Sequence, residues 1–118
     1  MENFKKLSVW KRSLKLAADV YGISSHFPPD EIYGLTSQIR RSAVSISSNI
    51  AEGSGRKSEK EFARFLRISY GSACELETQL IISKELGYFD MEQFASIIEE
   101  LDQIQKMIFA LELKKCKA

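Results

Sequence analysis

Three interruptions constrain this chain more than anything else in it: the adjacent Pro28 and Pro29, the close pair Gly53 and Gly55, and Gly87. Proline cannot sit in a helix interior without removing a hydrogen bond, and glycine supplies the left-handed residue on which helices end. Between these interruptions apolar residues recur at spacings of three and four, and no segment alternates with period two over a useful length. The pattern predicts helices over about 7–25, 36–52, 58–86 and 91–113, within a single domain spanning 1–118. Four amphipathic helices with short connections imply an all-α, antiparallel up-down four-helix bundle. The apolar content of 44% is enough for a core.

Each helix carries its own signals. In the first, Leu7, Trp10, Leu14, Ala17 and Tyr21 form the expected apolar face. A short turn is expected at 30–33. The second shows a stripe of Leu35, Ile39, Ala43, Ile46 and Ile50, interleaved with Ser42, Ser45, Ser47 and Ser48. Serine is a poor helix former, so this helix should depend on packing, and its small side chains let a neighbour approach closely. Ser58 and Glu61 make a capping box for the third helix, which Gly87 should terminate. Asp90 and Gln93 repeat the box for the fourth, with Phe89 and Phe94 placed as a hydrophobic staple. Its stripe is Phe94, Ile97, Ile98, Leu101, Ile104, Ile108 and Leu111, and Lys114, Lys115 and Lys117 suit the negative end of its dipole.

The third helix has more apolar surface than a lone bundle uses. Phe62, Leu66, Ser69, Ala73, Leu76 and Leu80 form one row; Phe65, Ile68, Ser72 and Ile82 form another; Ala63, Tyr70, Cys74 and Ile81 form a third. A helix apolar nearly all round is buried nearly all round, and a second copy of the chain is the expected cover. The plainer alternative is a thick core with a few exposed aliphatics.

Several chemistries are unsupported. Cys74, expected in the core, and Cys116, in a basic tail, are too isolated for a disulfide framework or a Cys-x-x-Cys pair, which suits a reduced, cytoplasmic compartment. His26 is the only histidine, so no histidine constellation exists for zinc or proton transfer. Neither a metal nor a cofactor is expected. The start of the chain, Met1-Glu2-Asn3-Phe4-Lys5-Lys6, does not lead into an apolar block, and no apolar run approaches the roughly 18 residues of a membrane span. Arginines and carboxylates without a nucleophile make a hydrolytic site the weakest reading, and the chain is expected not to be an enzyme.

Charge is unevenly placed although the total is only +1. Residues 1–15 carry five basic groups and one acidic, residues 56–67 five and two, and residues 103–118 four and one, whereas residues 75–102 carry eight acidic groups and one basic. Solvated faces and ion pairing between helices or subunits explain such a layout. The sharper reading is that the basic part meets phosphate and the acidic part meets a partner. The residues expected at RNA or DNA are Lys5, Lys6, Lys11, Arg12, Lys15, Arg56 and Lys57. Arg56 and Lys57 lie in Gly53-Ser54-Gly55-Arg56-Lys57-Ser58, where flexible glycines and cations precede a helix start. The loop lacks the Walker spacing and also reads as a plain connection. Glu52, near a helix C-terminus, calls for an arginine partner. The alternative function is a protein-docking adaptor that receives a basic, unidentified protein on the acidic band of helices three and four.

The runs Val9-Trp10-Lys11, Phe27-Pro28, Tyr33-Gly34-Leu35, Gln38-Ile39-Arg40-Arg41 and Ser48-Asn49-Ile50-Ala51-Glu52-Gly53 resemble the bacterial four-helix-bundle proteins called S23 or 23S rRNA intervening-sequence proteins. The likeness continues through Glu61-Phe62, Arg64-Phe65-Leu66, Gly71-Ser72, Glu75, Glu77-Thr78 and Leu86-Gly87-Tyr88, nearly the whole chain. It implies up-down bundles assembled as ring-like homopentamers with a central channel. It also implies kinship with the accessory protein of diversity-generating retroelements, a more basic branch that binds nucleic acid. Beside it, Tyr33, Arg41, Asn49, Glu52, Arg64, Glu75 and Glu77 are read as the residues that organise the bundle and its subunit contacts.

Overall fold

A computed structural model describes residues 3–117; residues 1, 2 and 118 of the expected domain lie outside the described residues. After a short 3-10 turn at Phe4–Lys6 come α1 (Ser8–Ser24), a second 3-10 turn at Pro29–Glu31, α2 (Leu35–Ser54), α3 (Glu59–Glu85) and α4 (Met91–Cys116). No strand occurs among the described residues.

Each expected capping box forms its forward half only, the cap side chain accepting the amide three residues on. Ser58 Oγ accepts the Glu61 amide at 3.1 Å, while the Glu61 carboxylate turns to Arg64 at 3.2 Å. Asp90 Oδ1 accepts the Gln93 amide at 2.7 Å. The rings of Phe89 and Phe94 meet edge-on with centroids 5.8 Å apart. At the end of α3, Gly87 takes a φ of 74°. Its amide bonds to the Lys84 carbonyl at 2.9 Å, and the Tyr88 amide to Ser83 at 3.0 Å, the paired closure of a Schellman motif.

Adjacent helices in sequence are adjacent in space, and α4 returns beside α1; the diagonal pairs α1–α3 and α2–α4 make no close backbone approach. That is up-down topology, in a body of 45 × 24 × 20 Å. One core runs along the axis through Leu16, Val20, Ile39, Ile46, Ile50, Leu66, Leu76, Leu80, Leu101, Ile104 and Ile108, all essentially inaccessible. The stripes expected for α2 and α4 face it.

The expected α1 face holds for Leu7, Trp10 and Ala17, which lie in or against the core, but not for Leu14 and Tyr21, and the expectation for Cys74 fails. In α1 the buried face is Val9, Ser13, Leu16, Ala17, Val20 and Ser24, whereas Leu14 and Tyr21 are 49% and 46% exposed. Ser13 and Ser24 enter the core because each hydroxyl donates to the carbonyl four residues back, Val9 and Val20, at 2.7 Å. A hydroxyl satisfied within its own helix leaves no polar penalty to exclude it. Cys74 is exposed, and Ala73 takes the core position beside it.

Small residues bring α2 and α3 together. Ser69 Oγ donates to the Ile46 carbonyl across the interface at 2.8 Å, and the Ser45 and Ser72 hydroxyls bond at 2.8 Å. Gly53 belongs to this seam: it is buried inside the last turn of α2, not part of a flexible connection. A Cβ there would lie 2.7 Å from Phe65 Cβ and 3.0 Å from Phe62 Cδ1. Gly53→Ala is therefore expected to destabilise by about 1–3 kcal/mol, the range for overpacking a tight core. Gly71→Ala, whose Cβ meets nothing within 4 Å, should stabilise by about 0.5–1 kcal/mol through helix propensity. Thermal denaturation of the two variants should give shifts of opposite sign; shifts of equal sign would contradict the seam.

Candidate functional site

The up-down topology sorts charge by pole. The start of α1, the α2–α3 connection and the end of α4 share one end of the bundle, and the cross-contacts there fix the arrangement: Lys115 Nζ lies 3.1 Å from Glu59, and Arg67 lies 3.6 Å from Glu112. Three basic segments far apart in sequence thus become one basic pole. The opposite pole collects the α1–α2 and α3–α4 connections, the first half of α4 and the end of α3, with Asp30, Glu31, Glu85, Asp90, Glu92, Glu99 and Glu100.

The expected phosphate residues divide into two groups, and two of them, Arg12 and Lys15, lie on the α1–α4 flank beside Glu100 and Asp19 and not at the basic pole. Lys5, Lys6, Lys11 and Lys57 are exposed and make no ion pair among the described residues. Arg12, Lys15 and Arg56 are engaged. Arg12 donates to both oxygens of Glu100, through Nη2 at 2.6 Å and Nε at 2.9 Å, and so clasps α1 to α4. Lys15 reaches Asp19 at 3.2 Å. Arg56 pairs with Glu52 at 3.4 Å and lies over the Phe65 ring at 4.7 Å. Lys60, and Lys114 at the end of α4, which the sequence reading did not place at phosphate, are also exposed.

The seven organising residues do not form one network within a single chain. Tyr33 is 95% exposed. Arg41 donates to Ser37 Oγ at 3.4 Å, and Asn49 to the Ser45 carbonyl at 2.8 Å. Glu52 does find an arginine, but it is Arg56 one turn on, not Arg40 or Arg41. Arg64 pairs with Glu61. Glu75 accepts the Ser42 hydroxyl at 2.9 Å, and Glu77 accepts Gln105 Nε2 at 3.0 Å. Each tie is local or joins one helix pair.

The sequence reading missed the knot that closes the acidic pole. Tyr88 Oη donates to Glu31 Oε2 at 2.7 Å, and Glu31 Oε1 accepts the Leu35 amide at 3.2 Å. One carboxylate therefore joins both loops of that pole and caps α2. Gly34 admits it, since a Cβ there would sit 2.7 Å from Glu31 Oε1. Phe27 packs on Tyr88 and Phe89, with centroids 5.2 and 6.0 Å away. No helical spacing pairs positions 31 and 88; Tyr88 was flagged only as part of the Leu86-Gly87-Tyr88 run. Among the described residues no group of three or more His, Cys, Asp or Glu side chains could hold a metal. No helix among them is long and apolar enough to cross a membrane.

Three carboxyls are held below the ordinary glutamate value of 4.5: Glu31 by the Tyr88 hydroxyl and the Leu35 amide, Glu61 by Arg64, and Glu100 by Arg12. A carboxyl depressed in the folded state contributes stability that is present above its unfolded value and lost as pH falls through the folded one. Carbon-13 titration should place the Glu31 and Glu100 midpoints below those of exposed glutamates. Tyr88→Phe and Arg12→Gln should return them, respectively, toward 4.5; midpoints that stay put in both variants would refute these assignments.

Comparison with known proteins follows the same lines. The family model described as 23S rRNA-intervening sequence protein matches residues 5–110. No curated protein matches. A solved structure described as a protein with unknown function from the S23 ribosomal protein family, from Bacteroides thetaiotaomicron VPI-5482, is similar with a TM-score of 0.82 and 27% identity, over 88% of this chain and 97% of that one. With the family model covering nearly the whole bundle, this chain belongs to the 23S rRNA-intervening sequence protein family.

Proposed function

We propose that this chain is a non-enzymatic, self-assembling helical-bundle protein that associates with RNA through its basic pole. The observation that carries the reading is the gathering of the α1 start, the α2–α3 connection and the α4 end at one pole, where Lys5, Lys6, Lys11 and Lys57 have no carboxylate partner. Unpaired lysines exchange condensed counterions for phosphate without first breaking a salt bridge. Arg12, Lys15 and Arg56 would have to leave carboxylates and are secondary in this role. The family description names the intervening sequences of 23S rRNA, which is a gene location, and the similar structure is described as having unknown function, so the reading rests on the basic pole alone.

Self-assembly is supported by apolar surface on the outer side of the bundle. Ile68, Ile81 and Ile82 of α3 are 40–45% exposed; Phe109 of α4, packed on Tyr70, is 56% exposed, and Val44 of α2, beside Tyr21 and Ile32, is 41% exposed. Burial of such shoulders removes apolar area from water at about 25 cal/mol per Å². A ring of five, as the family resemblance implies, would repeat the basic pole around one axis and multiply weak phosphate contacts.

Two measurements test this reading. Binding of a labelled RNA hairpin should weaken by about two to three decades between roughly 50 and 200 mM salt. Lys6→Glu with Lys57→Glu should flatten that dependence, and Lys84→Glu at the other pole should not. Absence of binding at low salt, or binding indifferent to salt, would overturn the RNA assignment. Sedimentation should give a multiple of the 13.4 kDa chain mass, and Ile68→Asp with Ile82→Asp should reduce it to one chain while circular dichroism stays helical; a wild-type monomer would overturn self-assembly.

A further inference from the structure

The acidic band was expected on α3 and α4. The packing relocates its usable part, because Glu75 and Glu77 of α3 are engaged by Ser42 and Gln105. What stays open lies between α4 and α1. These helices are not joined by a connection and approach less closely than the other neighbouring pairs. Between them runs a groove of about 1130 Å³.

Its construction is amphipathic. Leu16 and Ile97 beneath the groove are already buried, at 1% and 5% exposure, and the half-buried Ile23 carries the accessible apolar surface of its floor. Ala18, Gly22 and Ser96 keep its walls low. A Cβ added at Gly22 meets nothing within 4 Å, so this point faces open space. The rims carry Arg12, Lys15 and five carboxylates. Both cations are already neutralised within the groove, by Glu100 and Asp19. Asp90, Glu92 and Glu99 remain without a counter-charge among the described residues. Phosphate is repelled by such a rim, so a nucleic acid is the wrong occupant.

We propose that this groove receives a cationic amphipathic helix of a partner protein, laid as a fifth helix along α1 and α4. Small or aliphatic residues at spacings of three and four would seat on Ile23 between Ala18, Gly22 and Ser96, and flanking lysines or arginines would meet Glu92 and Glu99. The groove-lining stretch of α4 runs from Asp90 to Gln103. At 1.5 Å per residue that accommodates about 20 Å of helix, or roughly four turns. Small residues opposite the floor let a backbone approach, as Gly53 does between α2 and α3. The surface is separate from the basic pole, and the proposal stands whether or not RNA binds there.

The test uses the full chain and a labelled helical peptide of leucine and lysine in that spacing, with a leucine–glutamate peptide of the same pattern as control. The lysine peptide should bind and the glutamate peptide should not. Glu92→Gln with Glu99→Gln should weaken binding by about tenfold, the range for losing close charge pairs. Gly22→Trp, which fills open space, should block it while circular dichroism stays helical. Glu85→Gln with Asp30→Gln, at the same pole but outside the groove, should change nothing. Equal weakening by those distant changes would show diffuse attraction and overturn the proposal, as would unaltered binding to the Gly22→Trp protein. Sedimentation without peptide supplies a further check: if Gly22→Trp lowers the mass of the assembly, a second copy occupies the groove and the partner helix is refuted.

Discussion

The contact of α2 with α3 is the constraint around which the bundle is arranged. Two helices approach this closely only where side chains are small, and the seam supplies Gly53, Ser45, Ser69, Ser72 and Ala73 in register. The hydroxyl of Ser69 reaches a backbone carbonyl of the other helix, which a looser pair would not allow. Phe62 and Phe65 then close over the bare backbone at Gly53, and the entry to α3 is fixed. With the central hairpin set, α1 and α4 add to its two sides. They make the slightest contact of any neighbouring pair, and the Arg12–Glu100 clasp ties them. The open groove follows from that slight contact.

Serine explains much of what could be read in advance and what could not. The stripes of α2 and α4 were plain because their core positions are aliphatic, and the caps were plain because Ser58 and Asp90 have one geometric use. The face of α1 was misread in part because its core positions include Ser13 and Ser24, which look polar on paper yet bond within their own helix. The Cys74 error has the same origin, since neighbouring residues on a helix differ by about 100° and a mixed pattern leaves that rotation undecided. Gly53 looked like a break because sequence cannot separate a glycine that bends the chain from one that admits a neighbour.

The candidate site was legible in composition but not in pairing. Segment charges alone located the basic and acidic stretches, and up-down topology brought like with like. Which lysines stay unpaired depends on contacts such as Arg12 with Glu100, 88 positions away. The Tyr88–Glu31 bond spans 57 positions. Helical periodicity carries information over a turn or two, and ties of this length follow only from the finished packing.

Segregation of charge along a 45 Å body also gives the molecule a permanent orientation in an electric field. Before any contact forms, a polyanion would turn the rod so that its lysine tip leads and its carboxylate tip trails. Approach is then end-on, each chain presenting its 24 × 20 Å cross-section and not its flank. The sides of the rod stay available while the tip is occupied, so a third molecule held in the lateral cleft would travel with the complex instead of competing for it.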